Sequence, residues 1–137
     1  MIVTFKVYGH PEPQGSTRAF VPKGWTRPII TSANKKQKPW RQEVTRTAIE
    51  AMEKFAIIKR PAPVYIEMRF YVTKPKSKPK KVIFHTTKPD LDKLARAVSD
   101  SLTGIVYEDD SQITAALIEK NYGVPERVEI VITNYEP

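Results

Sequence analysis

The strongest constraint on the fold is the alternation of residue types between Val64 and Val72. Every second residue is apolar, and these are Val64, Ile66, Met68, Phe70 and Val72. The residues between them are Tyr65, Glu67, Arg69 and Tyr71. This period-two pattern predicts a β-strand with its apolar face turned toward a core. Because such a face needs a second layer to cover it, the rest of the chain should supply further strands and helices.

Two stretches have the periodicity of amphipathic helices. The first begins between Ser32 and Pro39 and continues to about Phe55, and the second runs from Asp90 to Gly104. Further strands are predicted at residues 2–8, 19–21, 27–31, 112–122 and 128–132. The last two are expected to pair as a hairpin. The order β, ββ, α, β, α, β, β shows no repeat or boundary, so we expect residues 1–137 to form one α+β domain, a mixed sheet with two main helices packed on it.

Charge is distributed unevenly along the chain. Residues 1–88 hold 19 Lys/Arg and 5 Asp/Glu, a net +14, whereas residues 89–137 hold 4 and 10, a net −6. A basic surface of this size favours a phosphate-rich partner, although a solvated basic surface gives the same composition.

The absence of cysteine excludes disulfides and thiolate metal sites. No apolar run is long enough to span a membrane, so we expect no membrane partner. The lack of cysteine fits a reducing cytosol, where we expect the protein.

The basic residues form two clusters. In Lys74–Lys81, five of eight residues are lysine, and two prolines preclude a helix or central strand, so we expect an extended loop. The second cluster crowds the start of the first helix, where cations oppose the helix dipole. This arrangement indicates either a bound anion or a mobile basic loop. The candidates for DNA contact are Lys74, Lys76, Lys78, Lys80, Lys81, Lys88, Lys93, Lys35, Lys36, Lys38 and Arg41.

One tryptophan lies between basic residues. Trp25 is followed two positions later by Arg27 in the short predicted hairpin. Stacking on a partner and partial burial are both compatible with this position. Partial burial is the more common use of a single tryptophan, so we expect it here.

The segment from Lys88 to Gln112 is acidic within an otherwise basic chain. Its acidic residues are Asp90, Asp92, Asp100, Glu108, Asp109 and Asp110. The first two fall in the first turn of the second predicted helix, and the last two fall in a connection that can fold back beside it. Carboxylates that meet at one helix end repel each other unless a cation neutralises them. Since Mg²⁺ prefers a few carboxylate oxygens and several waters, we expect a magnesium site of Asp90, Asp92 and a loop aspartate.

Each member of this set also has a purely structural use. Asp90 suits a helix N-cap, and Asp92 suits the helix dipole or an i,i+4 pair with Arg96. The aspartates of the connection suit a turn. Asp100 lies eight residues after Asp92, about 12 Å along a helix, so we leave it outside the magnesium site.

Two runs in this segment resemble a known family. The first is Lys88-Pro-Asp-Leu-Asp-Lys-Leu-Ala-Arg-Ala-Val-Ser-Asp-Ser-Leu-Thr-Gly, and the second is Tyr107-Glu-Asp-Asp-Ser-Gln-Ile. Together they resemble the RusA family of Holliday-junction resolvases, which is common in phages and prophages. The Pro/Gly-rich start, the basic helix and the closing strands agree with the family in their order.

The resemblance implies a homodimeric, magnesium-dependent endodeoxyribonuclease that makes paired symmetric nicks in four-way junctions during recombination and repair. It assigns the catalytic and metal-binding aspartates to Asp90, Asp92 and Asp110, with Arg96 as the catalytic cation. The family usually has lysine in place of Arg96 and asparagine in place of Lys93. Arginine keeps the charge and can bind phosphate through two N–H groups, but it is a poorer proton donor. Mn²⁺ is an alternative cofactor, and a bacterial or prophage gene is the expected source.

Three other functions remain open on the sequence alone. A non-catalytic DNA-binding protein, such as an inactive relative, would bind DNA regardless of magnesium and nick nothing. A magnesium nuclease for flaps, replication forks or duplex would use the same basic loop. A protein-interaction module leaves the acidic cluster without an explanation.

Overall fold

The structure is a computed structural model that describes residues 1–15, 17–21, 23–32 and 35–135, with the backbone alone at 17–20 and 29–32. In chain order the elements are β1 (Ile2–Tyr8), β2 (Thr17–Phe20), β3 (Ile29–Ser32), α1 (Gln37–Ala51), β4 (Val64–Val72), α2 (Leu91–Leu102), β5 (Ile113–Tyr122) and β6 (Arg127–Asn134). A 3₁₀ turn, Asp110–Gln112, precedes β5. The predicted α+β class and element order are confirmed.

The main sheet has the strand order β1-β6-β4-β5. β5 is parallel to β4, and the other neighbouring strands are antiparallel. The prediction that the last two strands pair as a hairpin is therefore wrong, because β4 lies between β5 and β6. A parallel pair needs a crossover connection, and α2 lies in the crossover between β4 and β5. Along the chain, Asp90 and Asp92, as well as Asp109 and Asp110, therefore lie in the connection between β4 and β5.

The core lies between one face of the main sheet and the two helices. Along β4 the apolar residues are buried and the intervening ones half-buried, as the alternation predicted. β1 and β6 also bury alternate residues toward this face. The helices contribute Trp40, Val44, Ala48, Leu94, Val98 and Leu102. In the described part of the chain, no helix combines the length and apolarity that crossing a membrane requires.

Two aromatic side chains, Trp25 and Phe55, are exposed, although partial burial was expected for Trp25. Trp25 is 59% exposed, on the turn that follows Gly24 (φ 84°) between β2 and β3. These two strands form a sheet separate from the main one, so the turn has no core face against which an indole could pack. Phe55, where the first helix was predicted to end, is 41% exposed because α1 ends four residues earlier, at Ala51.

Candidate active site

Asp90 and Asp92 stand at the start of α2. Asp90 occupies the N-cap position (φ −69°, ψ 138°), but its side chain forms no capping hydrogen bond. Both side chains are exposed, and neither accepts a hydrogen bond or joins an ion pair with any residue that the structure describes. Arg96, one turn further on, is exposed and does not pair with Asp92. The structural uses as cap and ion pair are thus not realised, and the carboxylates lie at the positive end of the helix dipole.

The backbone around the start of α2 is held from two sides. Lys120 donates from Nζ to the carbonyl oxygens of Thr87 (2.5 Å) and Pro89 (2.9 Å). On the other side, the backbone N–H of Gln14 donates to the carbonyl oxygen of Lys93 (2.9 Å). A cleft of about 380 Å³ lies here. Its lining includes Gln14, Lys88, Asp90 and Lys93.

The 3₁₀ turn before β5 distinguishes the two adjacent aspartates. Asp109 accepts a hydrogen bond from the backbone of Ser111 (3.0 Å), and bonding to Ser111 lowers the pKa of Asp109. Asp110 is exposed, and its carboxylate accepts no hydrogen bond within the described residues. Of the two, Asp110 therefore has the carboxylate that is available to a ligand.

Gln112 fixes this turn from inside the protein. Its Nε2 donates to the carbonyl oxygens of Ile58 (3.2 Å) and Ala62 (3.1 Å), and its Oε1 accepts from the backbone N–H of Asp109 (3.0 Å). The side chain is buried. Sequence reasoning did not single out Gln112, although its spacing from Asp109 is that of a capping box and could have revealed it.

We expect Gln112→Ala to lower the free energy of unfolding by about 2–4 kcal/mol, since it leaves buried backbone groups without partners. Urea denaturation followed by circular dichroism measures the change. The control is Gln42→Ala on the exposed side of α1, which should stay within about 0.5 kcal/mol of the wild type. Equal stability of the two variants would show that Gln112 does not hold the turn.

A single chain places its aspartates toward opposite ends of α2. The helix is 12 residues long, about 18 Å. The carbonyl oxygen of Pro89, just before α2, is bonded to Lys120 near the end of β5. Asp110 precedes Ile113 at the start of β5, which lies about 23 Å back along that strand from Lys120. Among the residues described, no group of three or more His, Asp or Glu side chains is placed to share a metal ion. The expectation that the three aspartates meet at one helix end is not met within one chain.

Tyr107, three residues before Asp110, contacts the second half of α2. The side chain is fully buried, and its Oη donates to the carbonyl oxygen of Ser99 (2.8 Å). Burial raises the pKa of Tyr107, and the nearby charges of Asp110 and Asp100 raise it further. The backbone N–H of Gly104 also donates to the carbonyl oxygen of Tyr107 (2.7 Å), so the segment just before Asp110 is bonded to the C-terminal end of α2.

Most of the predicted DNA-contact residues are exposed. The exposed ones are Lys76, Lys80, Lys81, Lys88, Lys93, Lys35, Lys36 and Lys38. Lys78 is half-buried, as is Lys74, whose Nζ donates to the carbonyl oxygen of Pro79 (2.8 Å). Arg41 is also half-buried and donates from Nε to Ser101 Oγ (3.4 Å), which links α1 to α2. Lys74 and Arg41 thus have internal contacts that the sequence did not predict.

Comparison with known proteins decides the family. The family model described as endodeoxyribonuclease RusA matches residues 10–133. The chain belongs to the RusA family. It is also 31% identical, over 140 aligned residues, to the uncharacterized protein YqaN of Bacillus subtilis (strain 168), and the alignment covers 95% of this chain and 94% of that protein. RusA-family proteins are endodeoxyribonucleases that act on branched DNA junctions, so membership indicates a nuclease and confirms the family predicted from the two motifs.

Proposed function

We propose that this protein is a magnesium-dependent, structure-specific endodeoxyribonuclease that resolves Holliday junctions by paired symmetric nicks in DNA recombination and repair. The observation that supports this most is the pair of unpartnered carboxylates, Asp90 and Asp92, at the N-terminus of α2 in a RusA-family chain. Exposed Lys88 and Lys93 flank them in sequence. A DNA backbone bound by these lysines would bring a phosphate to the two carboxylates.

The donor set suits Mg²⁺, with Mn²⁺ as the alternative. Mg²⁺ takes oxygen ligands and keeps several waters, so one or two carboxylates suffice for its main protein contacts. Asp90 and Asp92 offer two such groups close together, and Asp110 offers a third on a separate turn. The bound metal supplies Lewis-acid polarisation of the phosphate and a water of lowered pKa. We therefore assign these three aspartates to metal binding and catalysis.

Arg96 is the proposed catalytic cation. It follows Asp92 by four residues on α2, which places both side chains on the same side of the helix. Its guanidinium can hold two phosphate oxygens and stabilise the negative charge that develops on the scissile phosphate. Because arginine stays protonated, Arg96 is not suited to give a proton to the leaving oxygen.

We propose a homodimer that completes the metal site. β5 is an edge strand of the main sheet, and its residues 114–117 are exposed. Such an edge can pair with the same edge of a second copy, and a two-fold axis makes the two strands antiparallel. This arrangement sets the start of one β5 beside the end of the other, where α2 begins. The partner's Asp110 then approaches Asp90 and Asp92, and the dimer has two sites for two nicks.

Replacing Lys76, Lys80 and Lys81 together with alanine should weaken junction binding and flatten its salt dependence. Each phosphate contact on duplex DNA adds about 0.9 to the slope of log K against log salt, so the slope should fall by up to about 3. Fluorescence-anisotropy titrations at several salt concentrations, without divalent metal, measure it. The control is the Lys54→Ala/Lys59→Ala variant, which removes two exposed lysines after α1 and should leave the slope unchanged. An unchanged slope in the triple variant would exclude the loop from DNA contact.

A substrate panel tests the proposed specificity. A four-way junction, a flap, a replication fork and a plain duplex of matched sequence are incubated with the protein and Mg²⁺. We expect nicks in the four-way junction and none in the duplex. Faster cleavage of the flap or fork would assign the protein to a different class of branched-DNA nuclease.

A further inference from the structure

Two neighbouring apolar side chains are exposed in the basic loop that leads to α2. Ile83 is 69% exposed and Phe84 is 72% exposed. Isolated exposed apolar residues are common, whereas two adjacent ones, an aliphatic and an aromatic, form a larger apolar patch of the kind that interaction sites present. We refer to Ile83 and Phe84 as the apolar pair.

The residues that follow the apolar pair are fixed to the end of β5. The ring of His85 stacks on Tyr122, with centroids 4.8 Å apart and an interplanar angle of 28°. Burial and the nearby charge of Lys120 lower the pKa of His85, which favours the neutral ring. Lys120 then holds Thr87 and the residue before Asp90 through their carbonyl oxygens. The apolar pair is therefore attached to the same strand end as the candidate active site.

The distance and the charges around the apolar pair indicate its partner. Phe84 precedes Asp90 by six residues, so their Cα atoms are at most about 22 Å apart. Lys80 and Lys81 precede the pair and Lys88 follows it, and all three are exposed. Lysines on both sides can contact the phosphate backbone of DNA. The apolar groups between them can contact the faces of the bases, which lie inside that backbone.

We propose that the apolar pair stacks on, or inserts between, bases at the branch point of the DNA, and so makes the enzyme selective for branched over duplex DNA. This inference rests on the proposed function and adds a specificity-determining site to it. Apolar wedges such as Ile and Phe unstack base steps in other DNA-binding proteins, at a cost set by how firmly the bases are stacked. Bases at a branch point have lost a neighbour on one side, so insertion costs less there than inside a duplex.

The test compares Phe84→Ala with Phe55→Ala, which removes an equally sized aromatic group exposed after α1. Binding to a four-way junction and to a duplex is measured without divalent metal, so cleavage does not interfere. We expect Phe84→Ala to lose about 5- to 100-fold in junction affinity and little in duplex affinity. Phe55→Ala should match the wild type. Phe84→Tyr, which keeps an aromatic face, should restore junction affinity.

A second readout reports the bases directly. A 2-aminopurine placed next to the branch point becomes brighter when it is unstacked. The wild type and Phe84→Tyr should raise this fluorescence, and Phe84→Ala should not. Equal brightening and equal junction preference in Phe84→Ala would overturn the inference while leaving the nuclease proposal intact.

Two further outcomes would also overturn the inference. A change of Phe84→Ala from dimer to monomer in sedimentation experiments would place the apolar pair in a subunit interface instead. Failure of the wild type to bind any branched DNA would overturn both this inference and the proposed function.

Discussion

Replacing Asp92 with asparagine is expected to abolish nicking of a four-way junction while the fold and junction binding remain. Asparagine keeps the size and one oxygen but removes the charge that a divalent cation needs. Loss of a group that hydrogen-bonds to a metal ligand costs about 10–100-fold in metal affinity or activity. Loss of the ligand itself should therefore lower the nicking rate by more than about 100-fold. Because Asp92 is exposed, the free energy of unfolding should change by less than about 0.5 kcal/mol. Single-turnover nicking rates, metal-free binding titrations and urea denaturation measure these three quantities.

The matched control is Asp100→Asn, which makes the same chemical change on the same helix. Asp100 lies near Tyr107 and away from the N-terminus of α2, so this variant should nick at close to the wild-type rate. Equal losses in both variants would indicate a general effect of charge. Loss of junction binding in Asp92→Asn, with an intact fold, would count against the metal-site assignment.

Mixing two inactive variants is expected to restore nicking if the site is shared between two subunits. Asp92→Asn and Asp110→Asn should each be inactive alone. In their heterodimer one site contains both substitutions and the other contains neither. Random exchange makes about half of the dimers heterodimers, so about one quarter of the wild-type number of sites should be active. These heterodimers should make single nicks instead of paired ones.

The mixing experiment is performed by refolding the two variants together from urea, with each variant refolded alone as the control. Singly nicked junctions and the duplexes released by paired nicks are separated on native gels. Complete inactivity of the mixture, with heterodimers verified by differently tagged subunits, would show that each site is built within one chain. The loop carrying Asp110 would then have to move toward the start of α2 before cleavage.

Local elements of this fold follow from sequence patterns. The alternation in Val64–Val72 predicted β4 with the boundaries it has. The second helix was predicted to end at Gly104, and α2 ends at Leu102, two residues before that glycine adopts a positive φ of 83°. Both predictions depend on neighbouring residues alone, which explains their success.

The pairing of distant strands did not follow from the sequence. Residues 124–126 have the composition of a hairpin turn, but β4 separates β5 from β6. Alternation shows that β4 buries one face and leaves open which strands lie beside it. The hydrogen bonds from Lys120 to Thr87 and Pro89 join residues 33 and 31 positions apart, and no local pattern reveals them.

For the candidate site, the sequence named candidate residues but did not indicate how they lie relative to one another. The family resemblance assigned Asp90, Asp92 and Asp110 to the site, and their carboxylates are unpartnered within the described residues. Their separation along α2 could not be predicted, because it depends on the parallel pairing of β4 with β5. Exposure of Trp25 was missed for a similar reason, since the hairpin that carries it stands apart from the main sheet.

The most direct test of the proposed activity is nicking of a synthetic mobile four-way junction by the wild-type protein, with and without Mg²⁺. The cut positions are mapped on all four strands. We predict paired nicks at symmetry-related positions in two opposite strands, dependent on the metal and absent with Asp92→Asn. Tight binding that ignores Mg²⁺, with no nick on any strand, would contradict the proposal. The protein would then be a DNA-binding member of the family, and Arg96 would be the first residue to replace with lysine.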